Sequence, residues 1–330
     1  MNKKFCLLIV PLLLLSSCQI SVLSFGDSVT SDNRSEPISS EINSSDNPIS
    51  SSLESSSNQS SSSEKEDTSY KGYAPSGYEL GWHDEFSNTR LNDDWEAMHG
   101  DGSDYGVYRW GNNEDQFYTD HNFYLKEDVL HIFAQKERTV TENHTYEVTS
   151  ARLRTKGKVT MKYGYIEARI KLPAGTGLWP AFWMLPEANF RDMWWPTSGE
   201  IDIMEARGRI IDTFGATVHT GNTNNQDVYF AKDYRFTNTD ITEYHCYGLE
   251  WTQESLKFFI DGTMFHEVKP NQYQNGNSIY TEFSKNAPFD QDFHILLNLA
   301  VGGNYDNGKT VDSSFEEAEM LVDYVRIYHK

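Results

Sequence analysis

The stretch YIEARIKL, residues 165 to 172, alternates apolar and polar side chains. Ile166, Ala168, Ile170 and Leu172 fall on one side, and Glu167, Arg169 and Lys171 on the other. Successive residues of a strand point to opposite faces, so this pattern predicts a half-buried β-strand. The same period recurs down the chain. LKFFIDGTMFHEV, residues 256 to 268, reads as two such runs about an Asp261-Gly262 turn, which is a hairpin signal. HILLNLAVGG (294 to 303) and MLVDYVRIYH (320 to 329) add further strands. No long segment shows helical spacing and no strand–helix–strand alternation is present, so the expected fold class is all-β, an antiparallel β-sandwich.

Composition bounds the partners. Of 330 residues 38% are hydrophobic and 14% aromatic, enough for one substantial core plus exposed aromatic surface. The formal net charge of −21 argues against nucleic acid, because phosphate-backbone binding relies on clustered Lys and Arg that release counterions. It disfavours sulfated polymers for the same reason. Cysteines occur only at positions 6, 18 and 246, so no disulfide framework can form in the folded part.

The N-terminus carries Lys3 and Lys4, an apolar run from Phe5 to Leu15, then small residues up to Cys18. The run is too short to span a hydrocarbon layer of about 30 Å as a helix and reads as a secretory leader. Leu15-Ser16-Ser17-Cys18 resembles the bacterial lipobox, whose cysteine is acylated and becomes the mature N-terminus; ordinary signal cleavage nearby is the alternative. Residues 1–17 are therefore expected to be a lipoprotein signal peptide. Residues 18–71, rich in Ser, Asn, Asp and Glu, cannot bury enough surface to offset ordering entropy and read as a disordered tether from an acylated Cys18. Residues 72–330, which hold all eight tryptophans, read as the folded domain. The expected location is extracytoplasmic, on a bacterial cell surface, with the membrane contacted only through the lipid, and the expected state is a monomer.

GEIDIMEARG, residues 199 to 208, sets Glu200, Asp202 and Glu205 within six positions. In a strand Glu200 and Asp202 share one face while Ile201 and Ile203 take the other. Strict alternation would bury Glu205 unpaired on the apolar face, which is costly. A helix does no better, since a five-residue offset leaves the two glutamates about 140° apart. One extra residue at Ile203-Met204, taken up as a β-bulge, returns Glu205 to the face of the other two acids. Two carboxylates brought to about 5–5.5 Å are what double-displacement glycoside hydrolysis uses. A solvated acidic face and an oxygen-ligand cation site remain open on spacing alone.

The surrounding segments resemble the laminarinase-like glycoside hydrolases of family 16, whose signature is EIDIME. WHDEF (82–86), WGNNEDQFYT (110–119), YGYIEARIKLPAGTGLWPAFWMLP (163–186), YGLEWT (247–252), FDQDFHILLNLAVGG (289–303) and VDYVRIY (322–328) follow the family's order. The resemblance implies a jelly-roll sandwich (concanavalin A-like) with a glucan cleft on its concave face and a retaining mechanism. By it, Glu200 is the nucleophile, Glu205 the acid/base and Asp202 the assisting carboxylate, with no cofactor for catalysis. The spacing with Met204 resembles β-1,3-glucanases, and also agarases and carrageenases, whereas lichenases are one residue shorter. The implied activity is endo-1,3-β-glucanase on laminarin-type glucan; the alternatives are action on mixed-linkage glucan or a galactan, or a non-catalytic glucan-binding module.

The resemblance also implies sugar contacts for Trp179, Trp194 and Trp195 as aromatic platforms, and for Asn113, His219 and Asn298. Trp183, in step with Ala181, is expected in the core. Tyr165 stands in the cleft by this reading, where the family often has arginine. Asp323 shares parity with Leu321, Val325 and Ile327 and needs a partner; the resemblance implies a structural calcium site there, with an internal salt bridge as the alternative.

Overall fold

The computed structural model describes residues 71–188, 195–222, 225–269 and 288–330. The leader, Cys18, the tether and Trp194 lie outside these residues. Among the described residues there is no α-helix, and two sheets of ten and eight strands pack face to face.

The ten-stranded sheet is built on β9 (Gly164–Lys171), flanked by β14 (His245–Trp251) and β18 (Glu317–His329). The alternation of YIEARIKL is realised here: Ile166, Ala168 and Ile170 are fully buried in the core. The hairpin forms as β15 (Leu256–Ile260) and β16 (Thr263–Val268) about Asp261 (φ 46°) and Gly262 (φ 76°). Positive φ at both turn residues matches the right-handed twist of the paired strands, and it is why Asp-Gly serves there.

The eight-stranded sheet carries, side by side, β13 (Asp227–Arg235), β12 (Thr213–Gly221), β11 (Glu200–Ala206), β10 (Leu178–Pro186), β17 (Phe293–Val301) and β7 (Arg152–Arg154). Its inward residues include Phe182, Met184, Ile201, Val218, Ile295, Leu297 and Leu299, which join the inward residues of the first sheet in one apolar cluster. The molecule is an all-β sandwich of two antiparallel-rich sheets, as the period of two predicts.

Three expectations about the ten-stranded sheet are corrected. Tyr165 does not stand in the cleft; it lies on the outer face of β9, the sheet opposite the acids, 1% exposed against Tyr78, Phe259 and Tyr328. Glu167, on the polar side of the alternation, is fully buried, because residues 72–73 cross over it. Its carboxylate accepts from Tyr73 N (2.8 Å), Tyr328 Oη (3.1 Å) and Cys246 Sγ (3.3 Å), and a Cβ on Gly72 would collide with its Oε1.

Asp323 sits at a register shift between Val322 and Tyr324 in β18. The shift reverses parity, so the core takes Met320 and Val322 before it and Val325 and Ile327 after it, and Asp323 leaves the apolar face. Its Oδ2 accepts from Arg169 Nη1 at 2.7 Å. The salt bridge named as the alternative to a calcium site is the contact Asp323 makes here.

Candidate active site

β11 lies between β10 and β12, and both neighbours record an extra residue in it. Against β10, Met204 pairs with Phe182 and Asp202 with Trp183, which leaves Ile203 unpaired. Against β12, Asp202 pairs with Thr217 and Glu205 with Gly215, three steps on one strand against two on the other. Ile203 and Met204 are consecutive yet both buried in the core, 1% and 0% exposed. Glu200, Asp202 and Glu205 therefore share the outer face of the sheet, where regular pleating would have sent Glu205 inward.

Each carboxyl has a distinct environment. Glu205 Oε1 accepts from Trp179 Nε1 at 2.8 Å. Burial pushes Glu205 up to about 7, against the lowering effects of that hydrogen bond and of the nearby His219 and Arg207 charges. Burial, followed by the negative charges of Glu200 and Glu205, holds the Asp202 carboxyl well above the usual carboxylate range. Glu200 is raised by burial too, but His219 and Arg152 oppose the shift, as does a hydrogen bond with Asp202. That bond lowers Glu200 and raises Asp202, the directions expected when a protonated Asp202 donates to an ionised Glu200.

His219, on β12, pairs in register with Glu200. Its Nδ1 lies 3.0 and 3.2 Å from the two Asp227 carboxylate oxygens, and its Nε2 lies 3.4 Å from Asp202 Oδ2. Burial would lower its pKa, but the Asp227 hydrogen bond and the charges of Glu200, Asp227 and Glu205 prevail and lift it to about 9. The imidazole is cationic at neutral pH.

The remaining sequence candidates take these places. Trp179 is half-buried and stacks on Tyr305, with centroids 5.0 Å apart and planes 17° apart, so that one face is covered and its N–H is committed to Glu205. Trp195 is 49% exposed, 6.1 Å from the His219 ring. Asn113 is exposed and donates to Asn304 Oδ1 at 3.0 Å. Asn298 is 4% exposed, and its Oδ1 accepts from Trp183 Nε1 at 2.7 Å.

That contact corrects the core placement of Trp183. With Trp179 and Ala181 it stands on the outer face of β10, whose core residues are Phe182 and Met184. Arg152, 8% exposed, is held between the Trp110 and Trp183 rings at 4.5 and 4.7 Å. Sequence reasoning missed Asp227, Tyr305 and Arg152. Asp227 comes from the neighbouring strand β13, eight residues beyond His219, and Tyr305 lies 100 residues beyond Glu205; no local pattern flags either. Arg152 lies in register with Asn298, and only sheet pairing reveals it.

Comparison with known proteins agrees with this geometry. The family model "Glycosyl hydrolases family 16" matches residues 108–325. The glucan endo-1,3-beta-glucosidase A1 of Niallia circulans is 38% identical over 265 residues, 77% of this chain and 38% of that protein, so the chain spans well under half of it. The beta-glucanase of Rhodothermus marinus is 37% identical over 257 residues, 76% of this chain and 85% of that protein. The X-ray structure of the endo-beta-1,3-glucanase from Pyrococcus furiosus superposes with a TM-score of 0.67 at 39% identity, covering 76% of this chain and 94% of that one. A bulged strand presenting three acids from a β-sandwich, matched over most of the folded residues by these relatives, places the chain in glycosyl hydrolase family 16.

Proposed function

We propose that this protein is an endo-acting, retaining β-1,3-glucanase that cleaves laminarin-type glucan by double displacement. The observation that carries this reading is the bulge at Ile203-Met204, which sets Glu205, raised to about 7, on one face with Glu200. In the first step a Glu200 oxygen attacks the anomeric carbon while Glu205 gives its proton to the departing glycosidic oxygen. The sugar is then held as an ester on Glu200. Glu205, now ionised, takes a proton from water as that water attacks the same carbon, and the ester bond breaks to restore both groups. Asp202 keeps its proton and donates it to Glu200 as a hydrogen bond, which orients the nucleophile. The relatives' names support β-1,3-glucan as substrate, and the exposed Trp195 beside His219 offers an aromatic face to a pyranose.

The proposal extends to location: the leader and Cys18 support export and lipid anchoring, with the folded part acting as a monomer outside the cytoplasm. Reducing-end release from laminarin tests the activity. The unsubstituted protein should release reducing ends, and Glu200→Gln should lower kcat by at least a thousandfold with little change in KM. Equal rates for the two would overturn the assignment.

A further inference from the structure

One ligand atom each from Glu200, Asp202 and His219 lies within 4.8 Å of the other two. Two further features make this more than an acidic patch. Asp202 is 2% exposed, yet its Oδ2 has no hydrogen-bond partner and lies 3.4 Å from His219 Nε2. Two ligands bound at 2.0–2.1 Å to one tetrahedral ion stand about 3.3 Å apart, so this pair already has the separation of two ligands sharing an ion. Independently, His219 Nδ1 is engaged by the Asp227 carboxylate at 3.0 Å. A metal-bound histidine characteristically donates its other ring N–H to a carboxylate, which fixes the tautomer and aims the free nitrogen. With Nδ1–H given to Asp227, the lone pair of a neutral His219 ring is on Nε2, the nitrogen beside Asp202.

We propose that Glu200, Asp202 and His219 form a binding site for a zinc-class divalent cation, oriented by Asp227, and that filling it reversibly inhibits the enzyme. One imidazole nitrogen with two carboxylate oxygens suits Zn²⁺ or Cu²⁺; Ca²⁺ and Mg²⁺ take oxygen ligands instead. Three protein ligands leave a fourth position for water. Charge balances on binding: the ion replaces the proton on His219 Nε2 and the proton between Glu200 and Asp202, and both protons pass to solvent. Inhibition follows because the oxygen that attacks the sugar is then coordinated. The inhibitory half of the proposal rests on the glucanase reading; the binding half does not.

The test uses calorimetric titration of ZnCl₂ into the full chain carrying Glu205→Gln, which keeps all three ligands, alongside laminarin hydrolysis by the unsubstituted protein in ZnCl₂. One tight equivalent of Zn²⁺ per chain is expected. Hydrolysis should fall as the site fills and return with EDTA. His219→Ala in the same background should weaken binding at least tenfold, and Asp227→Asn about ten- to a hundredfold, with circular dichroism verifying that each variant is folded. Absence of a tight equivalent in Glu205→Gln overturns the proposal, as does an affinity that His219→Ala leaves unchanged. Hydrolysis that persists at full occupancy overturns the inhibitory half. Zinc binding by a protein that hydrolyses nothing would instead sink the glucanase reading and leave the site standing.

Discussion

Glu205 is lifted by burial to about 7, and the largest opposing influence is the hydrogen bond from Trp179 Nε1. An acid that must carry its proton to the leaving oxygen works only below its own pKa, so activity should fall as pH rises through about 7. At the other end, activity should fall as pH drops through the raised pKa of Glu200, which must be ionised to attack. Removing the Trp179 N–H takes away a contact that favours the charged form of Glu205. Trp179→Phe should therefore move the alkaline limb of kcat/KM to higher pH, by about one unit, which corresponds to about 1.4 kcal/mol. A limb that stays in place or moves to lower pH would contradict the role given to that contact. That the three acids share a face was legible from their spacing, because alternation forces a choice between a bulge and a buried charge; their catalytic roles rest on the family resemblance, since spacing leaves a solvated face and a cation site open. Trp183 was misread because its neighbour in step, Ala181, is small; Ala181 is 4% exposed on the outer face, covered there without belonging to the core.

At the scale of the element, β11 admits two consecutive inward residues, and the energetics favour that arrangement. Burying the Met204 side chain contributes roughly 1.5–3 kcal/mol, and the bulge avoids an unpaired Glu205 in the apolar interior. A regular strand would instead place Met204 on the face of Glu200 and Asp202. The two geometries predict opposite outcomes for Met204→Glu. With the bulge, the new carboxylate enters the core, and chemical denaturation should show a loss of more than about 3 kcal/mol or no folded protein; Met204→Leu should cost less than about 1.5 kcal/mol. Near-normal stability of Met204→Glu would mean regular pleating. The hairpin at Asp261-Gly262 was equally legible, since its two turn residues need positive φ. The register shift at Asp323 is not, since nothing in MLVDYVRIYH marks where the alternation reverses.

Over the whole molecule, the sandwich uses its two outer faces differently. The eight-stranded sheet presents the acids, while the outer face of the ten-stranded sheet is partly sealed by residues 72–73 lying over Glu167. This seal escaped sequence reading because Glu167 occupies a polar position of a regular alternation, and only the path of the preceding segment buries it. If Cys18 carries the lipid, the native chain should partition with membranes and incorporate labelled palmitate, and Cys18→Ser should do neither; membrane association that survives the substitution would contradict the anchor. The claim on which the account turns is that the bulge brings Glu205 and Glu200 together closely enough for a covalent intermediate. Proton NMR of the reducing ends freshly released from laminarin tests it most directly. The account predicts that the β-anomer appears first and the α-anomer only later by mutarotation. An α-anomer formed first would mean inversion, two carboxyls far enough apart to hold water between them, and a site unlike the one described.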